Sequence, residues 1–390
     1  MHTLLPHLKH YAWGSTRAIP EFLDAEPDGR PVAEAWFGAH PSGPSGTDGG
    51  SDLRALLATA PQQRLGEDVV ARFGPQLPYL LKLIAPARPL SLQVHPNLAQ
   101  ARAGYEREEA AAVPGARRNY PDANHKPELV YALTTFEAVS GFRAPRRAAE
   151  LLSALDAPLA RELLAMLRTE PSAAGMQAAF TRLLRASAPG EVEAVIEACR
   201  RRIDRDASPS PRADHTVVRL AAAHPGDPGA VAALLLNPVT LHPGEVMFIP
   251  AGCVHAYLSG LGIEVMANSN NVLRAGLTEK HVDVDELLAT IDSLAAPPLR
   301  IAPEMLDAAT GVFYAPVDDF ELSVCRLERD PGRDLRGRGP RVLLAAEGRV
   351  AVSTTAQQRW LKRGQAAFVA ADEGPVRVAG DGVLVQADVP

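Results

Sequence analysis

Four stretches of this sequence gather side chains that bind metals or move protons. The first runs Gly244, five residues, Pro250, Ala251, Gly252, two residues, His255. Glu245 to Ile249 read as a strand entering a Pro-Ala-Gly turn, with Gly252 free to take the positive φ such turns often need and His255 turned into a barrel on the next strand. An ordinary hairpin with a structural histidine is the plain alternative. The second, RPLSLQVH at 88–95, alternates along a strand: Leu90, Leu92 and Val94 share one face, Ser91, Gln93 and His95 the other. That polar face lines a cavity or meets water. The third, HKPELVYAL from His125, places Lys126, Glu128 and Val130 on one strand face. A buried carboxylate there needs a partner or a metal, whereas a surface Lys–Glu pair needs neither. The fourth, GIEVMANSNNVLRAGLTEKH from Gly262, aims Glu264 away from Ile263 and Val265 and passes through the amide-rich turn Asn268 to Asn271. It ends with the cations Arg274 and Lys280. Pooled, Gln93, His95, Glu128 and His255 offer an amide oxygen, two imidazoles and a carboxylate. This donor set suits zinc and leaves room for water or substrate, as catalytic sites do.

Lysine usage sharpens the reading. Only Lys9, Lys82, Lys126, Lys280 and Lys362 occur among 40 basic residues, so arginine has taken over most surface cation duty. Lysines kept inside apolar strands draw attention, because an amine's pKa shifts on burial and a guanidinium's does not readily follow. The formal charge of −6 gives no general attraction for nucleic acid or anionic membrane, so an anionic ligand needs a local cationic cluster.

The elements that must position these groups can be read from periodicity. Residues 1–145 mix short strands with helical stretches at Asp52 to Phe73 and Leu98 to Ala112. Leu151, Leu152, Leu155, Leu159, Leu163, Leu164 and Leu167 recur at helical spacing, and Glu191 to Ile203 repeats the pattern. A helical insertion over 146–214 is therefore expected. It interrupts a catalytic β domain made of 1–145 and 215–305, with strands resuming near Val217 and helices between about 282 and 310. Residues 306–390 form a final β unit. Leu241, Gly244 and Phe248 recur at the same spacing as Leu361, Gly364 and Phe368, which suggests a second jelly-roll. Its Ala370, Asp372 and Pro375 stand where the first copy has Pro250, Gly252 and His255, so this unit is expected to hold no metal. The first residues lack the pattern of a secretory signal, and no apolar run nears the ~18 to 20 residues that span a bilayer. Cys199, Cys253 and Cys325 are few, odd in number and far apart, which favours a reducing cytoplasm.

The Gly244 to His255 pattern resembles the second conserved motif of the cupin superfamily, with Ser259 where asparagine is often found. Taken together, YAWGS at 11–15, AEAWFGAHPSG at 33–43, LLKLIAPARPLSLQVHPN at 80–97, NHKPELVYAL at 124–133 and the long run from Pro243 resemble the type I mannose-6-phosphate isomerases, in order and over nearly the whole chain. The resemblance implies a mainly β, cupin-type jelly-roll fold with a helical insertion, and one zinc per chain held by Gln93, His95, Glu128 and His255. It also implies a sugar-phosphate substrate and no nucleic-acid or membrane partner. Arg274 takes the position usually marked catalytic, with Lys126 and Glu264 beside the zinc. Ser91, Lys82 and Lys280 are candidate substrate or phosphate contacts. Ala275 stands where glycine is frequent, with no chemical consequence. For the proton transfer, Glu264 and then Lys126 are the candidate bases. An oxygenase on the same scaffold usually carries more histidine, and a non-catalytic sugar-phosphate sensor would have lost Arg274, Lys126 or a ligand. An isomerase of another aldose phosphate stays open. A monomer is the expected state.

Overall fold

The structure is a computed structural model that describes residues 1–111, 118–186 and 188–390. Among them the strands form three antiparallel sheets, stacked with a block of helices on one outer side. The seven-stranded sheet runs Leu299–Ile301, Val246–Ile249, Glu128–Ala132, Gly262–Ala267, Tyr79–Ile84, Glu34–Phe37, His7–Lys9. The five-stranded sheet runs Leu273–Gly276, Leu92–Val94, His255–Ser259, Phe136–Phe142, Leu236–Leu241. Side-chain alternation gives each sheet two unlike faces. One face of the seven-stranded sheet, with Leu81, Leu83, Leu129, Ile263 and Val265, packs on Phe320, Leu322, Val342, Phe368 and Val385 of the C-terminal sheet. The outward face of the five-stranded sheet, with Leu92, Val94, Val139, Ala256 and Leu273, packs on the helices. The faces left over turn toward each other; Ile84, Val130, Phe136, Met247 and Ile249 fill one part of the space between them, and the polar residues occupy the rest.

The helical insertion forms because its leucines make one apolar stripe. All seven leucines from Leu151 to Leu167 are buried in the cluster that also takes in the five-stranded sheet. The helices do not stop at 214. Pro211–Ala223 is helical, and Gly229–Ala232 adds a short turn. Val217, expected to open a strand, is buried beside Ala213, Leu220 and Ala221 at a 3–4 residue spacing. The β-branched run Thr216 to Val218 gave the strand signal, and packing of the helical face overrode it. The region 282–310 also differs from expectation. It has one helix, Val284–Thr290, after which Pro297, Pro298 and Pro303 exclude another and short strands follow. The early helix ends at Ala111; Ala112 lies outside the described residues.

The C-terminal sheet recruits the chain's beginning. His2–Leu5 pairs antiparallel with Ala366–Val369, and Gly46–Thr47 pairs with His2–Leu5. Residues 1–145 therefore contribute strands to all three sheets, and pairing with a distant strand leaves no local trace in the sequence. The internal echo is structural: Gly244 and Gly364 sit at φ +90° and +82° in matching strand–turn–strand units. No helix among the described residues is long and apolar enough to cross a membrane.

Candidate metal centre and active-site cavity

Strand register assembles the centre. His255 lies opposite Gln93, which lies opposite Arg274 on its other side, so three neighbouring strands of the five-stranded sheet present these groups to one face. Across the gap, Glu128 opens a strand of the seven-stranded sheet. His95, Glu128 and His255 are buried and offer ligand atoms that all lie within 4.8 Å of one another. The Pro-Ala-Gly turn does what its sequence promised: Gly252 takes φ +77°, and its N–H donates to the His95 carbonyl at 2.8 Å, tying the two histidine segments together.

The imidazole tautomers follow from the partners of Nδ1. His95 Nδ1 lies 2.7 Å from the Asn271 carbonyl and His255 Nδ1 lies 3.0 Å from the Cys253 carbonyl. A carbonyl only accepts, so both Nδ1 atoms donate, and in the neutral ring each Nε2 is then the nitrogen that carries the lone pair. Burial first, then Lys126, lowers the His95 pKa to about 4 against the opposing pull of Glu128, so the ring is neutral at neutral pH. Its Nε2 is buried with no hydrogen-bond partner. Yet it faces Glu128 Oε1 at 3.3 Å, and His255 Nε2 faces Glu128 Oε2 at 3.4 Å. Two lone pairs aimed at a carboxylate repel unless a cation joins them. Tetrahedral zinc bonds of about 2.0–2.1 Å set ligand atoms roughly 3.3 Å apart, so the donors present fit such an ion. The Gln93 amide nitrogen donates to Ser91 Oγ at 3.3 Å, which leaves its oxygen available to the same centre.

Beside these donors opens a cavity of about 530 Å³. Ser91, Gln93, Lys82, Lys126, Arg274 and Lys280, all expected from the sequence, line it. Glu264 does not. It is 1% exposed, behind Lys82, whose Nζ lies 2.5 Å from Glu264 Oε2 and 4.0 Å from Glu34 Oε1. Burial opposes the Lys82 charge, but Glu264, Glu34 and Glu128 outweigh it and raise the pKa. Burial and then Glu128 push the Glu264 pKa up, against Lys82 and Lys126. Burial also works against ionised Glu128, and Lys126 at 2.8 Å, with the two histidines, holds its carboxyl well below the usual range. Lys82 and Lys126 are thus paired cations. Arg274 and Lys280 have no ion-pair partner among the described residues, and burial lowers the pKa of each.

The sequence stretches point to a family, and comparison decides it. The chain is 38% identical to the mannose-6-phosphate isomerase of Escherichia coli (strain K12) over 396 residues, covering 99% of both. This chain belongs to the mannose-6-phosphate isomerase family. A family model for the catalytic domain of type I phosphomannose isomerases matches residues 1–145. The Rattus norvegicus mannose-6-phosphate isomerase is 30% identical over 94% of this chain and 92% of its own. Among solved structures, a mutant phosphomannose isomerase from Salmonella typhimurium superposes with a TM-score of 0.92 at 37% identity, covering 100% of this chain and 99% of that one. A mannose 6-phosphate isomerase bound with zinc and yttrium superposes at 0.91 and 36%, with the same coverage. The expected cupin-type fold is therefore that of the family.

Within this family fold, three cavity or floor residues escaped the sequence reading. Glu34 is 8% exposed and is pinned by Trp36 Nε1 at 2.7 Å. His40 packs edge-on against Trp36, their ring centroids 5.0 Å apart. Tyr257 donates to Glu264 Oε1 at 2.7 Å. Tyr257 could have been found, since it lies two residues past His255 and so shares its strand face. Glu34, an acid inside the apolar run VAEAWF, gave a fainter signal. His40 gave none.

Proposed function

We infer that the protein interconverts D-mannose 6-phosphate and D-fructose 6-phosphate, with one zinc ion held by Gln93, His95, Glu128 and His255. The observation that carries this reading is the division among the cavity's cations. Lys82 and Lys126 are bound to buried carboxylates, whereas Arg274 and Lys280 lie within Coulomb range of each other and have no ion-pair partner among the described residues. A dianionic phosphate satisfies the second pair, and the first is left for chemistry at the sugar.

The reaction moves a proton between C2 and C1 through a cis-enediol. Zinc bound here supplies Lewis-acid polarisation and orientation of the sugar oxygens. Lys82, not the buried Glu264, meets the sugar. The neighbouring carboxylates keep Lys82 charged, while burial and Glu128 raise the pKa of Glu264, so Glu264 is the net acceptor: Lys82 Nζ passes a proton to Glu264 Oε2 across 2.5 Å in the same step as it takes the one leaving C2. The return path delivers that proton to C1. Tyr257 fixes the other oxygen of Glu264, and Lys126 holds Glu128 in place. Arg274 and Lys280 anchor the phosphate, and Ser91 steadies Gln93 and faces the substrate. The same proposal takes the protein as a cytoplasmic monomer: its three cysteines are free, and one chain supplies the whole centre and cavity.

A coupled assay on purified protein, with metal quantified before and after chelation, tests this. Turnover of mannose 6-phosphate should vanish on chelation and return with one equivalent of zinc. Bound zinc with no turnover of any aldose phosphate would move the reading to a non-catalytic sugar-phosphate-binding protein. Arg274→Ala should keep zinc and lose turnover; normal turnover would remove Arg274 from the mechanism.

A further inference from the structure

The loop that follows the helical insertion touches the cavity wall at an unusual place. Leu273–Gly276 ends on Gly276 at φ +131°, and the next residue, Leu277, takes φ +55° although it has a side chain. A non-glycine residue persists in that region only where its surroundings over-determine it. Two contacts do so here. The Leu277 side chain is 1% exposed and anchored in the apolar cluster of the helical block. The adjacent N–H of Thr278 donates to Asp227 Oδ2 at 3.2 Å, while Asp227 Oδ1 accepts from Gly229 N–H at 2.7 Å. One carboxylate thus joins the end of the helical block to the start of the segment that carries Thr278, Glu279 and Lys280 into the cavity. The approach is close on both sides: a Cβ at Gly276 would lie 2.9 Å from Asp227 Oδ1, and one at Gly229 would lie 3.0 Å from Leu277 N. The same loop also lines the cavity with His224, whose Nε2 lies 3.5 Å from the Pro89 carbonyl, and Arg88 Nη2 donates to the Ala223 carbonyl at 3.4 Å.

We propose that Asp227 is a positioning residue for substrate binding: it clasps the backbone of 276–280 in its left-handed turn and so sets Lys280 beside Arg274 to receive the phosphate. The proposal rests on the isomerase reading for the identity of the substrate, but the clasp itself is a claim about anion affinity. Asp227 touches neither the metal donors nor Lys82, so its loss acts on binding and leaves the proton transfer alone. Asp227→Asn is nearly isosteric and replaces one acceptor oxygen by an NH₂ facing an N–H. Because two free cations must be held together against their own repulsion, small loop displacements separate them.

The experiment compares wild type and Asp227→Asn holoenzyme by steady-state kinetics, by competitive inhibition with inorganic phosphate, and by zinc content and thermal midpoint. The expected result is a KM for mannose 6-phosphate raised about tenfold, equivalent to about 1.4 kcal/mol. The phosphate inhibition constant should rise by a similar factor, with kcat within about twofold and zinc and thermal midpoint retained. Asp227→Ala, which removes both acceptor oxygens without adding a donor, should give the same split and serves if Asp227→Asn does not fold. Unchanged KM and phosphate affinity in folded, zinc-loaded variants would overturn the proposal. So would a joint fall of kcat, zinc and thermal midpoint, which is the mark of general destabilisation. Wild type that turns over no sugar phosphate would sink the isomerase reading instead, and calorimetric titration of both proteins with inorganic phosphate would still decide the clasp.

Discussion

At the scale of single residues, the centre is defined by mutual dependence of charges. Glu128 is the only carboxylate among the three clustered donors, and both imidazole lone pairs point at it. Glu128→Gln keeps the shape and removes the charge. Zinc affinity should then fall by more than the roughly 10–100-fold typical of changes to groups that merely support a ligand, read by competition with a chromophoric chelator. His40 gives a second test, in stability. Burial, then Lys82, Lys126 and Lys9, lowers its pKa from 6.5 to about 4. Between pH 6.5 and 4 the unfolded chain binds a proton at this site that the folded chain does not. Stability therefore rises with pH across that window and is lost as pH falls, by up to about 3 kcal/mol from this group. His40→Asn should flatten the difference in denaturant midpoint between pH 7 and pH 5; an unaltered difference would show that His40 is not the group responsible. The clustered donors His95, Glu128 and His255 were legible because each lies in a short run whose pattern announces a polar face. Glu34 and His40 were not, because their value comes from neighbours 40 or more positions away in sequence, namely Lys82 and Lys126.

At the scale of elements, the turn before His255 shows how a local signal becomes a functional constraint. Gly252 combines φ +77° with a backbone N–H bonded to the His95 carbonyl and a carbonyl that accepts from Asp292 N–H at 2.9 Å. A Cβ there would lie 3.1 Å from Asp292 N and Cβ. Gly252→Ala should therefore destabilise by about 1–2 kcal/mol, and the displaced turn should weaken zinc retention as well. Thermal melts of the apo and zinc-loaded protein separate the two: a zinc-induced gain in midpoint equal to that of wild type would mean the turn does not position His255. This turn was readable because glycine and proline mark backbone geometry directly. Helix Pro211–Ala223 was not, since Thr216 to Val218 prefer strands on their own and only the apolar face completed by Ala213 and Leu220 makes them helical. Asp227 lies in His224 to Pro228, whose Pro, Gly and Asp content reads as a loop. That reading was right about the element and silent about its contact with Thr278.

At the scale of the whole molecule, the division into units seen in the sequence is not a division in packing. The catalytic and C-terminal sheets share one apolar layer, in which Phe37, Leu81, Leu129 and Ile263 meet Phe313, Phe320, Leu344 and Phe368. Tyr79, on the same strand as Lys82, sends its hydroxyl to the carbonyls of Pro340 and Ala387 at 2.9 and 2.7 Å. Arg326 donates to the Tyr131 hydroxyl at 3.0 Å, three residues along the strand that Glu128 opens. The first strand of the chain pairs with Ala366–Val369. The C-terminal unit is thus the back wall of the sheet on which Lys82, Glu128 and Glu264 stand. Removing residues 306–390 would expose a face of large apolar side chains at about 25 cal/mol per Å² and leave His2–Leu5 without its C-terminal partner strand. With a typical net stability of only about 5–15 kcal/mol, the remainder cannot absorb that loss. A 1–305 fragment should be insoluble or bind a hydrophobic dye without cooperative melting, and the intact chain should show coincident loss of zinc-centre and C-terminal signals on denaturation. A soluble, zinc-binding 1–305 fragment would instead mean that the two sheets are separable and that the shared layer is an interface formed after folding.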